Sequence, residues 1–217
     1  MNIIDTSSNI KLRDHKEELI RNIPLFETVG IEYSLSSSDY TDVIFQSIPS
    51  VKFFIEKEQL IDKNIYSMGP STKNFLSQKN FDSICPDTPG SGELIKLLPS
   101  KSDDNKFLIV KGADGLSEVF DHLSKNNNKV EEISCYKRVK FKSYDDVKES
   151  FLKADAVIFS STFGAQIFFE EIYSSDVKAK LFGISNRIIN YISDIGYESK
   201  FIDYFTNDIG VSIKNSI

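Results

Sequence analysis

An α/β fold is predicted, made of two open parallel-sheet domains joined by a two-stranded β connector. Three observations predict it. The apolar runs Val43-Ile44-Phe45, Phe107-Leu108-Ile109-Val110 and Ala156-Val157-Ile158-Phe159 show no polar alternation, which is the habit of parallel strands buried on both faces. Each run passes through a turn of small or hydroxylic residues into a helical stretch, the grammar of βαβ units. The chain also repeats itself. Asp42 to Ser47, leading into Val51 to Ile55, matches Ala156 to Ser161, leading into Ala165 to Phe169. Met68-Gly69-Pro70-Ser71 then matches Phe182-Gly183-Ile184-Ser185 at the same offset. Two matches in register point to a duplicated domain, and a duplicated domain to a cleft between the copies.

The elements follow in order. Ile3-Ile4 before Thr6-Ser7-Ser8 reads as a brief strand ending in a turn, and Leu12 to Ile20 as a short amphipathic helix. Ile23 to Thr28 is extended, and Pro24 confines it to an edge or a linker. After the loop Leu35 to Asp39, strands are expected at Val43–Phe45, Ile65–Met68, Phe107–Val110, Ala156–Phe159 and Lys180–Phe182, each with a helix behind it. Lys125 to Lys129 closes a helix, and Val130 to Val139 is extended again. Right-handed crossovers put the strand-end turns along one edge of each sheet, where ligands bind. Residues 1–22 with 140–217 are expected as one discontinuous domain, 29–132 as the middle domain, and 23–28 with 133–139 as the connector strands.

A chain of 217 residues, 40% apolar, suffices for two small domains. Its net charge of −6 and the lack of a dense basic run argue against nucleic acid as a partner; Lys137 to Lys142 reads as the polar face of a strand. Cys85 and Cys135 make neither a disulfide framework nor a metal spacing, so reduced thiols and a cytoplasmic location are expected. Met1 to Ser8 has no signal-peptide pattern, and no run reaches the length of a membrane span.

Chemistry is expected at the strand ends. Ser47, Ser71-Thr72, Gly112, Ser160-Ser161-Thr162 and Ser185-Asn186 read individually as helix caps, and together as backbone donors for an anionic ligand. Lys111-Gly112-Ala113-Asp114-Gly115 lacks the features of either nucleotide loop. Lys111 is either an exposed solubilising charge or a ligand for carboxylate. His15 and His122 read as surface groups, and no nucleophile elbow is present. Glu170-Glu171 and Asp145-Asp146 read as solvated helix positions. Tyr136, in the second extended stretch, is either a covering aromatic or an uncharged proton donor.

Taken in order, these segments resemble the uroporphyrinogen-III synthase family: Val43 to Ser47 with Val51 and Phe54, Met68 to Thr72 with Leu76, Pro86 to Leu94, Phe107 to Gly115, Val130 to Val139, Ala156 to Thr162 and Gly183 to Ser185. The resemblance runs from about residue 40 to the C-terminus. It implies two α/β domains on a β-ladder and a reaction without cofactor or metal. In that reaction hydroxymethylbilane, a linear tetrapyrrole, loses its hydroxyl and closes to uroporphyrinogen III with inversion of the last ring, through a spirocyclic intermediate. Tyr136 matches the tyrosine proposed to assist hydroxyl departure. Ser71, Thr72, Ser161, Thr162 and Ser185 match turns around the substrate, Ser47 is the counterpart of Ser161, and Gly112 belongs to the same set. Lys111 stands where arginine is frequent, and loses the bidentate fork.

The chain departs from the pattern in places. Gln46 replaces threonine, Ile184 replaces proline, Asn186 replaces threonine, and only about twenty residues serve for the strand, helix and strand before Pro24. A monomer is expected, with the preceding pathway enzyme as a candidate partner. The rival expectation is a non-catalytic two-domain module that holds a tetrapyrrole or another small polyanion.

Overall fold

The computed structural model describes residues 1–8, 20–99, 105–204, 206 and 208–216. The elements are β1 (Ile3–Asp5), β2 (Ile20–Asn22), β3 (Phe26–Gly30), β4 (Asp42–Phe45), α1 (Ile48–Phe53), β5 (Asn64–Ser67), α2 (Pro70–Ser77), α3 (Ser91–Leu97), β6 (Lys106–Gly112), α4 (Glu118–Lys125), β7 (Lys129–Lys140), α5 (Asp145–Leu152), β8 (Ala156–Phe159), α6 (Thr162–Ile167), β9 (Lys180–Gly183), α7 (Asn186–Asp194), β10 (Lys200–Phe201) and α8 (Ile209–Lys214). They divide into two compact units, Met1–Glu27 with Val139–Ile217, and Thr28–Arg138. The chain passes between the units inside β3 and inside β7, which are neighbours in one sheet.

The first unit carries the sheet β10-β9-β8-β1-β2, parallel throughout. Its central strands β1 and β8 bury both faces, as parallel strands inside a sheet do. Ile4, Val157 and Phe159 enter one core with Phe151, Phe168 and Ile188. Ile3, Ala156 and Ile158 enter another with Tyr204, Ile209 and Ile213. Among the described N-terminal residues, every position of β1 pairs on both sides. β1 lies between β8 and β2, with Ile3 opposite both Ala156 and Ile20. Ile20 is therefore a strand residue and does not end a helix. The rest of the helix expected there, with His15, lies outside the described residues.

The end of β1 is tied to the C-terminal part of the chain. Asp5 accepts from Tyr204 Oη at 2.6 Å and from Ser7 Oγ at 2.6 Å, and all three residues are buried. Tyr204→Phe is expected to lower stability by roughly 1.5–3 kcal/mol, the usual worth of a hydrogen bond to a charged group. Urea unfolding followed by circular dichroism checks this.

The second unit carries the sheet β3-β7-β6-β4-β5. β5, β4, β6 and β7 pair in parallel, with Val43 opposite both Ile65 and Leu108. Val43, Phe45, Leu108 and Val110 pack with Val51, Phe54 and Leu76 on one face. Ile44, Phe107 and Ile109 pack with Leu94, Val119 and Leu123 on the other. β3 is an edge strand and starts just after Pro24, in keeping with the missing proline N–H.

The sequence repeat covers β4–α1–β5 in one unit and β8–α6–β9 in the other. Chain order reverses between β4 and β6 in one sheet and between β1 and β8 in the other. Each repeated strand thus borders the switch point of its own sheet, where open α/β folds bind ligands at the carboxyl ends of strands.

Candidate active site

In the second unit Ser47 follows β4 and caps α1. Its Oγ accepts from Ser50 N at 3.2 Å, while Ser50 Oγ accepts from Ser47 N at 3.1 Å, a reciprocal capping box. Ser47 Oγ also lies 3.0 Å from Tyr136 Oη. Two local features bring the phenol there. Lys111 and Gly112 of β6 stand opposite Ser134 and Tyr136 of β7, so Cys135 is the extra residue of a bulge. The bulge turns Cys135 and Tyr136 toward the same core, where strand alternation alone would separate them. Gly112 then leaves room for the ring: a Cβ there would stand 2.5 Å from Tyr136 Cζ. Phe53 stacks on the ring at 6.2 Å between centroids. Gly112 is therefore a packing partner of the phenol.

The bulged Cys135 is buried, with its thiol against Ser50 O and Lys111 O, and burial pushes its pKa up to about 12. Iodoacetamide at pH 8 is expected to label Cys85, which is part-exposed, and to spare Cys135 in the native protein. Mass spectrometry checks this.

Lys111 is not an exposed charge. Its side chain is 6% exposed, and Nζ pairs with Glu132 Oε1 at 2.6 Å. Nζ also donates to Gly115 O at 3.1 Å and to Ser117 Oγ at 3.2 Å. Val110 packs in the core that holds Tyr136, whereas Ile109 packs in the opposite one. Strand alternation therefore sends Lys111 to the face away from the phenol. A Cβ on Gly115 would stand 2.9 Å from both Gly112 O and Lys111 Cδ, so this turn needs glycine for close approach. Gln46 donates to Leu116 O at 3.0 Å and ties the turn to the end of β4. Ser71 and Thr72 open α2 behind Gly69, one strand away; Thr72 is buried and donates its amide to Gly69 O at 3.1 Å.

In the first unit Ser161 caps α6, its Oγ accepting from Gly164 N at 3.0 Å, with Thr162 as the first helical residue. Ser185 caps α7 through its carbonyl, which accepts from Ile188 N at 3.0 Å. Thr6, at the end of β1, is buried and donates from Oγ1 to Ile158 O at 2.8 Å. A Cβ on Gly164 would lie 3.6 Å from Thr6 Oγ1 and 3.3 Å from Ser161 Oγ, so the turns after β1 and β8 meet across the switch point. Neither Thr6 nor Gln46 is among the site residues expected from sequence. The signal for Thr6 is a hydroxyl run directly after an apolar pair, as at Ser160-Ser161.

Elsewhere, Glu170 and Glu171 are exposed and pair with Lys140, and Asp145 and Asp146 open α5. His122 on α4 is partly buried, with Nε2 3.1 Å from Asn126 Nδ2. Among the described residues no group of three or more His, Cys, Asp or Glu is arranged to hold a metal, and no helix is long and apolar enough to cross a membrane.

Two parallel α/β sheets, each with a hydroxyl-capped turn beside its switch point, define a two-unit α/β class of protein. Comparison with known proteins narrows the class. The family profile described as Uroporphyrinogen-III synthase HemD matches residues 18–202. The chain therefore belongs to the uroporphyrinogen-III synthase HemD family, an enzyme family of tetrapyrrole biosynthesis. Among solved structures it is similar to uroporphyrinogen-III synthetase from Helicobacter pylori, with a TM-score of 0.73 at 15% identity over 99% of this chain and 98% of that one. It is also similar to a mutant uroporphyrinogen III synthase from the extremely thermophilic bacterium Thermus thermophilus, with a TM-score of 0.61 at 11% identity over 100% of this chain and 97% of that one. At such identities the likeness shows the fold. No curated protein matches the chain.

Proposed function

We propose that the chain is a uroporphyrinogen-III synthase, closing hydroxymethylbilane to uroporphyrinogen III with inversion of the last ring and loss of water. The observation that carries this reading is the Ser47–Tyr136 hydroxyl pair, 3.0 Å apart at the strand ends of the second unit, in a chain of this family. Loss of the substrate hydroxyl breaks a C–O bond, and the electron pair leaves with the oxygen. The Tyr136 phenol supplies the proton that makes the leaving group water. The cation left behind is attacked by the substituted α-carbon of the last ring, forming the C–C bond of the spirocyclic intermediate. The bond from that carbon to its original methylene bridge then breaks, and the bridge carbon bonds instead to the ring's other α-carbon, whose proton returns to the phenol. The balance needs no oxidant or reductant.

The linear substrate is reactive and closes unaided to the type I isomer, so the main task is orientation. Its eight carboxylates suit the helix-start amides and hydroxyls at Ser71, Thr72, Ser161, Thr162 and Ser185. Lys111, already neutralised by Glu132, supports that geometry from within and is left out of the substrate contacts. A coupled assay tests the proposal: fresh hydroxymethylbilane is supplied and the type I and type III products are resolved. Type III above the uncatalysed background is expected. Type I alone at the spontaneous rate would remove the enzyme reading, and product binding with that result would favour a non-catalytic tetrapyrrole module.

A further inference from the structure

We infer that Ser47 is a positioning residue, whose hydroxyl donates to Tyr136 Oη and so turns the phenol's own proton outward to the departing hydroxyl. The inference deepens the cyclase reading and rests on it for the identity of the acceptor. It assigns Ser47 to the phenol instead of to a substrate carboxylate.

Hydrogen-bond accounting carries the argument. In the capping box, Ser50 Oγ accepts from Ser47 N and donates to Ser47 O at 2.6 Å, so its proton is committed. Ser50 N donates to Ser47 Oγ, which occupies one lone pair of that oxygen. The Ser47 proton remains; Tyr136 Oη lies 3.0 Å away, either oxygen can donate, and the assignment takes Ser47 as the donor. Either direction of the Ser47–Tyr136 bond leaves one hydroxyl proton over. The phenol's is the more acidic, so it is the one a leaving hydroxyl can use. Once that proton moves, negative charge gathers on Oη. The Ser47 hydroxyl, itself polarised by the Ser50 amide, then opposes that charge. The geometry is fixed on three sides: the cap holds Ser47, the bulge at Cys135 aims Tyr136, and Gly112 admits the ring.

The test has two readouts. Ser47→Ala is expected to lower kcat roughly 10–100-fold with KM nearly unchanged, as expected for a hydrogen bond that matters when charge develops. Ser47→Thr, which keeps the hydroxyl and still caps a helix, restores most of the rate. In a Tyr136→Phe background Ser47→Ala costs nothing further, because the two act as one unit. A rise in KM with kcat kept would assign Ser47 to substrate binding and overturn the inference.

The second readout needs no turnover. The phenolic C–O stretch of Tyr136, isolated by infrared difference between ring-labelled and unlabelled protein, responds to the direction of the bond. Loss of an accepted hydrogen bond raises it, and loss of a donated one lowers it. Ser47→Ala is expected to raise it; a fall or no change overturns the inference, whatever the assay gives. A wild-type protein that makes only type I product would remove the cyclase reading, while the band would still decide the direction of the bond.

Discussion

Tyr136→Phe is expected to lower kcat by roughly 10²–10⁴-fold, the range that a positioned general acid supplies. The loss is chemical because the ring stays. Phenylalanine keeps the stacking on Phe53 and the close approach over Gly112, and the Ser47 cap keeps its bond from Ser50. Stability should fall by no more than about 1.5 kcal/mol, the net worth of one neutral hydrogen bond. Steady-state kinetics beside a urea melt separate the two effects. A variant that turns over at the wild-type rate would remove Tyr136 from the mechanism. A variant that fails only because it unfolds would show a melt lowered in proportion.

The second large effect is on folding. Lys111→Met is expected to destabilise the protein by up to about 3 kcal/mol, the lower end of the cost of breaking a buried ion pair from one side, because the Glu132 side chain keeps 21% exposure. Glu132 is left without its counter-ion; its Oε1 meets Lys111 Nζ, and its Oε2 is buried without a partner among the described residues. Adding Glu132→Leu to the lysine variant should recover most of the loss, because removing both charges also removes the uncompensated one. Denaturant midpoints of the two single variants and the double variant measure this. A lysine variant of unchanged stability and raised KM would instead make Lys111 a substrate ligand.

The strands were legible in the sequence because their signal is local. Ala156 to Phe159 and Val43 to Phe45 are apolar at every position, and only a strand covered on both faces tolerates that. The caps Ser47 and Ser161 were legible for the same reason, since each is set by its own next three residues. What could not be read depends on pairing between distant segments. Lys111 looks like a free cation until Glu132 comes alongside it from β7. The aim of Tyr136 depends on a bulge, and a bulge exists only relative to the partner strand. β1 was legible at Ile3-Ile4 as a brief strand, but three residues do not tell that it is central in its sheet, and Ile20 of β2 read as the end of a helix. Thr6 was legible as part of a turn and not as a neighbour of the turn after β8.

The isomer made by the wild-type protein tests the central claim most directly. Freshly generated hydroxymethylbilane is divided among increasing concentrations of the protein, and the porphyrinogens are oxidised and resolved by chromatography. The account predicts that the type III share climbs with protein concentration until it displaces type I. A share that stays at the protein-free value at every concentration would contradict it.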